Sequence, residues 1–133
     1  MNWRLLPLSP IGGGGGRGEA GGSDLIAWED FEKVDMRVGV VVRAEPFPEA
    51  RKPAYKLWID FGPLGQRQSS AQITDRYRVD ELVGRQVVCV VNFPPKRIGP
   101  FVSEVLVLGA YTESRQVILL RPDLDVDRGS RIG

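Results

Sequence analysis

Two adjacent cations lie in a stiff loop between two apolar segments, where their types and spacing would suit ligand binding. The loop reads Pro94-Pro95-Lys96-Arg97 and separates the β-branched segments 87–91 and 105–108. Because proline has a fixed φ and no N–H, the proline pair forces the chain out of a sheet and restricts the loop. Positive charges held at a fixed place suit an anionic ligand. The alternative is a solvated turn whose prolines only protect the edge of a sheet.

Histidine is absent and cysteine occurs once, which limits the chemistry open to this chain. Without histidine there is no imidazole base, no histidine metal ligand and no Ser-His or Cys-His nucleophile. Cys89 lies within a valine segment, where a small buried thiol is expected. We therefore predict a binding protein rather than an enzyme, with no catalytic residue, no metal and no cofactor. A single cysteine also fits a reducing compartment, so a cytoplasmic location is expected.

Charge is nearly balanced over the whole chain but not along it. The formal net charge is +1, whereas positions 43–97 contain ten Lys or Arg and six Asp or Glu. A local excess of this kind can build a basic face on a nearly neutral protein. The candidate anion contacts are cations of this segment: Arg51, Lys52, Lys56, Arg67, Lys96 and Arg97.

The first 24 residues do not have the pattern of a folded segment. Positions 12–16 are an unbroken run of glycine, and further glycines follow it. Such a segment has too little apolar surface to offset its backbone entropy. We predict a disordered Gly-rich tail over residues 1–24 and one domain over residues 25–133. The tail is too short and proline-broken to span a membrane and lacks a signal-peptide pattern, so no membrane insertion is expected.

The remainder alternates between short strands and turns. Leu25, Trp28, Phe31 and Val34 recur at three-residue steps and predict a short helix. Alternating or β-branched segments predict about six strands, at residues 36–44, 54–61, 66–73, 86–92, 104–110 and 117–120. Residues 75–84 have helical content. Many short strands with a helix between the third and fourth indicate an all-β, five-stranded Greek-key barrel of the OB-fold type, with short flanking helices.

Five motifs carry a resemblance to a known family over roughly residues 30–133. They are DMRVG at 35–39, ARKPAYKL at 50–57, QSSAQIT at 68–74, VNFPPKRI at 91–98 and FVSEVLVLG at 101–109. With these motifs the sequence resembles the CsaA family of bacterial export-related chaperones, which are free-standing members of the tRNA-binding-domain group of OB-folds. The resemblance implies a homodimer that binds unfolded or precursor polypeptides and the secretion motor.

The wider tRNA-binding group has an Asn, a basic pair, a Gly and a Ser in this order across the loop. Asn92, Lys96, Arg97, Gly99 and Ser103 stand at the matching positions, so the resemblance adds Asn92 and Ser103 to the candidate RNA or anion contacts. Many RNA-binding members then have a Gly-Met pair, where this chain has Val-Leu at 105–106.

Three loop phenylalanines beside prolines, Phe47, Phe93 and Phe101, are the candidate peptide contacts. They either plug the ends of the barrel or form exposed binding surface. Trp58 faces away from the core side of its strand, either under the N-terminal helix or at an interface, whereas Phe61 is expected in the core. The favoured function is a polypeptide-binding chaperone dimer. The alternative is a structure-selective tRNA- or RNA-binding module.

Overall fold

The computed structural model describes residues 24–133, in two units that divide after Val34. The first unit contains one short helix, α1, at Trp28–Glu32. The Asp30 carboxylate accepts a hydrogen bond from the N–H of Ala27 at 2.9 Å and caps the helix start. The predicted short helix is therefore confirmed. The predicted tail lies outside the described residues, apart from Asp24.

The second unit, residues 35–133, is a nearly closed antiparallel barrel. Its five sheet strands are β1 at Met36–Pro46, β2 at Tyr55–Asp60, β3 at Gln66–Ala71, β4 at Gln86–Val90 and β7 at Leu106–Val107. In the sheet they have the order β3-β2-β1-β4-β7. Three consecutive strands and a fourth that returns beside the first make a Greek key. The predicted all-β, five-stranded OB-fold is confirmed.

Two small hairpins and two 3₁₀ turns complete the unit. The hairpins are β5 at Lys96–Ile98 with β6 at Phe101–Ser103, and β8 at Gly109–Tyr111 with β9 at Val117–Leu119. The helical content predicted at 75–84 is a single 3₁₀ turn at Val79–Glu81. Arg78 is extended before the turn and Gly84 has a φ of 92° after it, so no longer helix fits.

The barrel core follows from the alternation of side chains along the strands. Its centre is a set of buried apolar residues that includes Val41, Leu57, Ile59 and Phe61. Gly39 is required inside β1, because a Cβ there would lie 2.5 Å from Ile59 and 2.8 Å from the Phe61 ring. The predicted core position of Phe61 is confirmed.

Side-chain hydrogen bonds, together with one backbone bond from the N–H of Glu104 to the carbonyl of Gln68 at 2.8 Å, close the barrel between β3 and the end of β6. The N–H of Gln68 donates to the Glu104 carboxylate at 2.9 Å, and the N–H of Ser70 donates to Ser103 Oγ at 3.0 Å. Ser69 Oγ donates to the carbonyl of Val105 at 2.7 Å. Two polar side chains of β3 serve this closure: Ser69 Oγ, and Gln68 Nε2, which donates to the carbonyl of Val102 at 2.8 Å. They supply partners for backbone carbonyls that the closure would otherwise leave unbonded.

The charged C-terminal segment pairs with β1. Val38 donates its N–H to Ser130 at 2.9 Å and accepts from the N–H of Gly129 at 2.7 Å. A Cβ on Gly129, which has a φ of 89°, would lie 2.5 Å from the carbonyl oxygen of Phe61. Within residues 24–133, no helix combines the length and apolar character needed to cross a bilayer.

Candidate functional site

A second apolar cluster lies on the outer face of the barrel. Leu57 and Ile59 are fully buried inside, so the alternate residues of β2, Lys56 and Trp58, face outward. The cluster consists of buried Phe47, Ala54 and Phe101, with Ala50, Trp58 and Ile98 packed against them. We call it the outer cluster. It joins the loop after β1 to the β5–β6 hairpin.

Aromatic contacts hold the outer cluster together. The Phe101 ring lies 5.5 Å from Phe47 and 5.9 Å from Trp58, both edge to face. Trp58 donates its indole N–H to the side chain of Gln68 at 3.1 Å. Edge-to-face pairs contribute about 0.5–1.5 kcal/mol each beyond the buried area. The cluster therefore fixes the hairpin on the barrel.

Two cations lie over these rings. The ammonium of Lys56 is 5.0 Å from the centre of the Phe47 ring and 5.6 Å from that of Phe101. The guanidinium of Arg43 is 4.5 Å above Trp58 and pairs with Glu45. Cation–π contacts limit the positions of such charges without neutralising them. The Lys56 ammonium is therefore positioned beside the outer cluster.

The loop between β1 and β2 presents two further cations. Its base is closed by a hydrogen bond from the N–H of Phe47 to the carbonyl of Ala54 at 3.3 Å, and Ala50 donates to Phe47 at 3.2 Å. Arg51 and Lys52 are exposed near the tip of this loop. Because the base of the loop is part of the outer cluster, both cations lie next to it.

The β5–β6 hairpin replaces the predicted stiff loop. Lys96 pairs with Ser103, Arg97 with Val102 and Ile98 with Phe101. Paired residues share a face, so Lys96 lies on the side of the buried Phe101 and Ser103, and Arg97 lies on the opposite side. Lys96 is half-buried and Arg97 is exposed.

Five predicted anion contacts are carried by three elements that meet at the outer cluster, namely the β1–β2 loop, β2 and the hairpin. We call this set the basic surface: Arg51, Lys52, Lys56, Lys96 and Arg97. Arg97 lies on the face of the hairpin that points away from the cluster, whereas Lys96 lies on the side of Phe101.

The other three predicted contacts have different surroundings. Arg67 pairs with Ile59, which is fully buried, so its side chain lies on the inner side of β3 and away from Lys56. Asn92 accepts a hydrogen bond from the N–H of Asp35 at 3.0 Å. Ser103 is only 2% exposed and accepts from the N–H of Ser70.

The three predicted peptide contacts also divide. Phe47 and Phe101 are 4% and 7% exposed, because the loop and the hairpin press their rings together over Trp58. In this chain they fill the outer cluster. Phe93 is 39% exposed and is the candidate ring that reaches the surface.

Arg43 and Glu104 were missed by sequence reasoning. Arg43 lies over Trp58 only because the β1–β2 register shifts between Val41 and Arg43. Glu104 closes the barrel through Gln68, 36 positions away. Neither register nor a distant side-chain bond has a local sequence signal, so no pattern could have found them.

One carboxylate of the barrel has a clearly shifted pKa. The backbone N–H of Gly62, which donates to Asp60 at 2.8 Å, and the guanidinium of Arg128 hold the pKa of Asp60 below its ordinary value. Asp60 is the last residue of β2. Among residues 24–133, no His, Cys, Asp or Glu side chains gather closely enough to ligate a metal ion.

A family model described as "Putative tRNA binding domain" matches residues 36–131 of this chain. The methionine--tRNA ligase of Methanococcoides burtonii is 32% identical over 109 residues, which are 82% of this chain and 16% of that protein. The chain therefore spans about a sixth of the length of this curated relative.

Solved structures match over most of the chain. A chaperone CsaA from Bacillus anthracis is 53% identical, with a TM-score of 0.78, and the match covers 82% of this chain and 99% of that one. A MetRS-related protein from Pyrococcus horikoshii is 32% identical, with a TM-score of 0.74 and coverage of 82% and 98%. Because the motifs, the barrel and these matches agree, the chain belongs to the tRNA-binding-domain family and is of the CsaA type.

Proposed function

We propose that this chain binds unfolded or precursor polypeptides, as a CsaA-type chaperone in protein export. One observation carries the proposal: the match covers 99% of the B. anthracis chaperone CsaA but only 16% of the M. burtonii ligase. The likeness extends over nearly the whole of a protein named as a chaperone. We further propose that the chain acts by binding and not by catalysis, without a cofactor.

The basic surface supplies a physical basis for this activity. Exposed Phe93 stands just before two prolines, and exposed Arg97 follows them. A segment that mixes apolar and acidic residues could contact both features. Because the prolines restrict the loop, less conformational entropy is lost when a segment binds. Phe47 and Phe101 would act indirectly, because their buried rings hold the Lys56 ammonium in place through cation–π contacts.

The test is suppression of aggregation of a chemically unfolded client. The parent protein should slow light scattering by the client, and Phe93→Ser should remove most of that effect. The matched control is Leu64→Ser, because Leu64 is 37% exposed, close to the 39% of Phe93, in the turn after β2. If the folded Phe93→Ser variant protects as well as Leu64→Ser, Phe93 is not a client contact. If the parent gives no protection, the chaperone proposal is wrong.

A second candidate function is structure-selective binding of tRNA or another RNA. The family model and the ligase match favour it, and the five cations of the basic surface give it a mechanism. Each phosphate contact releases counterions, so the logarithm of the affinity falls linearly with the logarithm of the salt concentration. The slope is about 0.7–0.9 for each phosphate contact. Arg97→Ala should flatten that dependence by about one contact. Exposed Arg121, which follows β9, provides the control Arg121→Ala, which should leave the slope unchanged.

We also propose that the chain forms a homodimer. The secretion motor is proposed as a further partner, and a cytoplasmic location is proposed because these partners would be met there. The dimer has support within the barrel unit, where the segment after β9 exposes Leu120, Leu124 and Val126 by 41%, 75% and 41%. Exposed apolar residues in one segment are typical of an interaction surface. Light scattering that gives the mass of a monomer at tens of micromolar would contradict this.

A further inference from the structure

Strand β5 has one edge that no other strand of the described part of the chain covers. Its inner edge pairs with β6, and within residues 24–133 neither a strand nor an isolated bridge pairs with its outer edge. Unpaired N–H and C=O groups on such an edge can template another extended chain. What this edge can bind depends on the backbone groups of β5 that point outward.

The hydrogen bond accepted by Val102 shows which backbone groups of β5 point outward. Its carbonyl accepts from Gln68 Nε2 at 2.8 Å and so points toward β3, away from β5. Residues of an antiparallel pair alternate between bonding each other and pointing both groups outward. Val102 pairs with Arg97, so the N–H and C=O of Arg97 point to the opposite, uncovered side. Arg97 therefore offers one donor and one acceptor at the outer edge of β5.

The ends of β5 limit how far this edge can pair. Pro94 and Pro95 precede it and have no N–H to donate. Gly99 has a φ of 58° and is followed by Pro100, whose φ must be negative, which matches a type II′ hairpin turn. Pairing is thus confined to a few residues centred on Arg97, and the hairpin is held rigidly by the outer cluster.

We propose that β5 binds an extended peptide by main-chain pairing centred on Arg97, with an acidic peptide residue opposite the Arg97 side chain. The inference rests on the proposed polypeptide binding and names its site and geometry. Charge complementarity selects the occupant, because Arg97 is exposed and opposite charges on facing strands attract. β-Strand addition supplies affinity through the backbone and selectivity through alternate side chains.

A second copy of this chain fits the same edge poorly. Two β5 strands that paired about a twofold axis at Arg97 would place the two Arg97 side chains opposite each other. Like charges directly opposite on facing strands are destabilising. The proline pair also shortens the edge, as in proteins that avoid edge-to-edge association.

The test uses a short acetylated peptide in which valine and glutamate alternate, together with a set of singly N-methylated versions. N-methylation should weaken binding about threefold to tenfold at positions whose N–H faces β5 and should have little effect at the positions between them. A peptide with lysine in place of glutamate should bind more weakly. In hydrogen exchange, the amide of Arg97 should become protected when the peptide binds.

Two variants of the protein separate charge from main-chain pairing. Arg97→Ala removes the charge and keeps the N–H, whereas Arg97→Pro removes both. Proline is tolerated on an edge where the N–H faces solvent, so the hairpin should remain intact. Arg97→Pro should bind the peptide about threefold to tenfold more weakly than Arg97→Ala. Equal affinities for the two variants would overturn the proposed pairing.

The remaining outcomes also distinguish this inference from the proposed function. If the peptide or an unfolded client binds without Arg97 protection and without the alternating pattern, the β5 site is wrong and polypeptide binding stands. If the Arg97 amide is already protected in the free protein and the protection grows with protein concentration, a second copy occupies the edge and the inference is wrong. If neither the peptide nor an unfolded client binds, both proposals fail.

Discussion

Replacing Ser103 with alanine should lower the stability of the barrel without weakening ligand binding by the folded protein. The sequence resemblance places Ser103 among the RNA or anion contacts, whereas the structure buries it to 2% exposure between β6 and β3. Its Oγ accepts from the N–H of Ser70 at 3.0 Å. Alanine removes the acceptor of this part-buried donor.

The magnitude follows from this one bond. A buried donor that loses its partner costs about 1–3 kcal/mol. The other contacts of Ser103 Oγ, to Ser69 and Val105, are at 3.5 Å and add little. We expect a loss of about 1–2 kcal/mol in the free energy of unfolding, which corresponds to a fall in Tm of about 4–8 °C.

The assay is urea unfolding followed by tryptophan fluorescence, combined with ligand binding well below the unfolding midpoint. Ser114→Ala is the control, because the exposed Ser114 hydroxyl lies 3.2 Å from the Thr112 hydroxyl and water can replace that contact. The control should stay within about 0.5 kcal/mol of the parent. An unchanged stability of Ser103→Ala together with weaker RNA binding would refute the structural role and restore Ser103 to the ligand site.

Three other substitutions test the packing and the electrostatics. Phe101→Ala should lower the free energy of unfolding by about 3 kcal/mol or more, since its ring is buried in the outer cluster; an unchanged urea midpoint would contradict that burial. Asp60→Asn should lower Tm near neutral pH. The pKa of Asp60 is lowered from 3.8 in the folded protein, so the Tm difference between parent and variant should be largest above pH 3.8. It should disappear as the pH falls through the lowered pKa. A Tm difference that does not depend on pH would contradict the ion pair and hydrogen bond of Asp60. Gly129→Ala should destabilise more than Gly65→Ala, because both glycines have positive φ but only a Cβ at 129 meets the Phe61 carbonyl; equal Tm losses would show that the close approach is relieved.

The sequence alone determined the class of fold and most of the strands. The alternation of apolar and polar residues at 54–61 is a local pattern that predicts a strand with one buried face. The β-branched run at 87–91 is a local pattern that predicts a strand buried on both faces. The short helix before β1 could be predicted for the same reason. The family could also be predicted, because its motifs lie in contiguous segments.

Only the tertiary structure decided which candidate residues meet and which are buried. Phe47 and Phe101 have the local pattern of exposed loop residues, but two segments that are distant in sequence press them together over β2. Ser103 could not be recognised as an internal acceptor, because its donor is 33 positions away on β3. The outward direction of the Arg97 backbone likewise depends on the register of β5 and β6. Periodicity is a property of one strand, whereas burial and edge exposure depend on what packs beside it, so only the folded chain determines them.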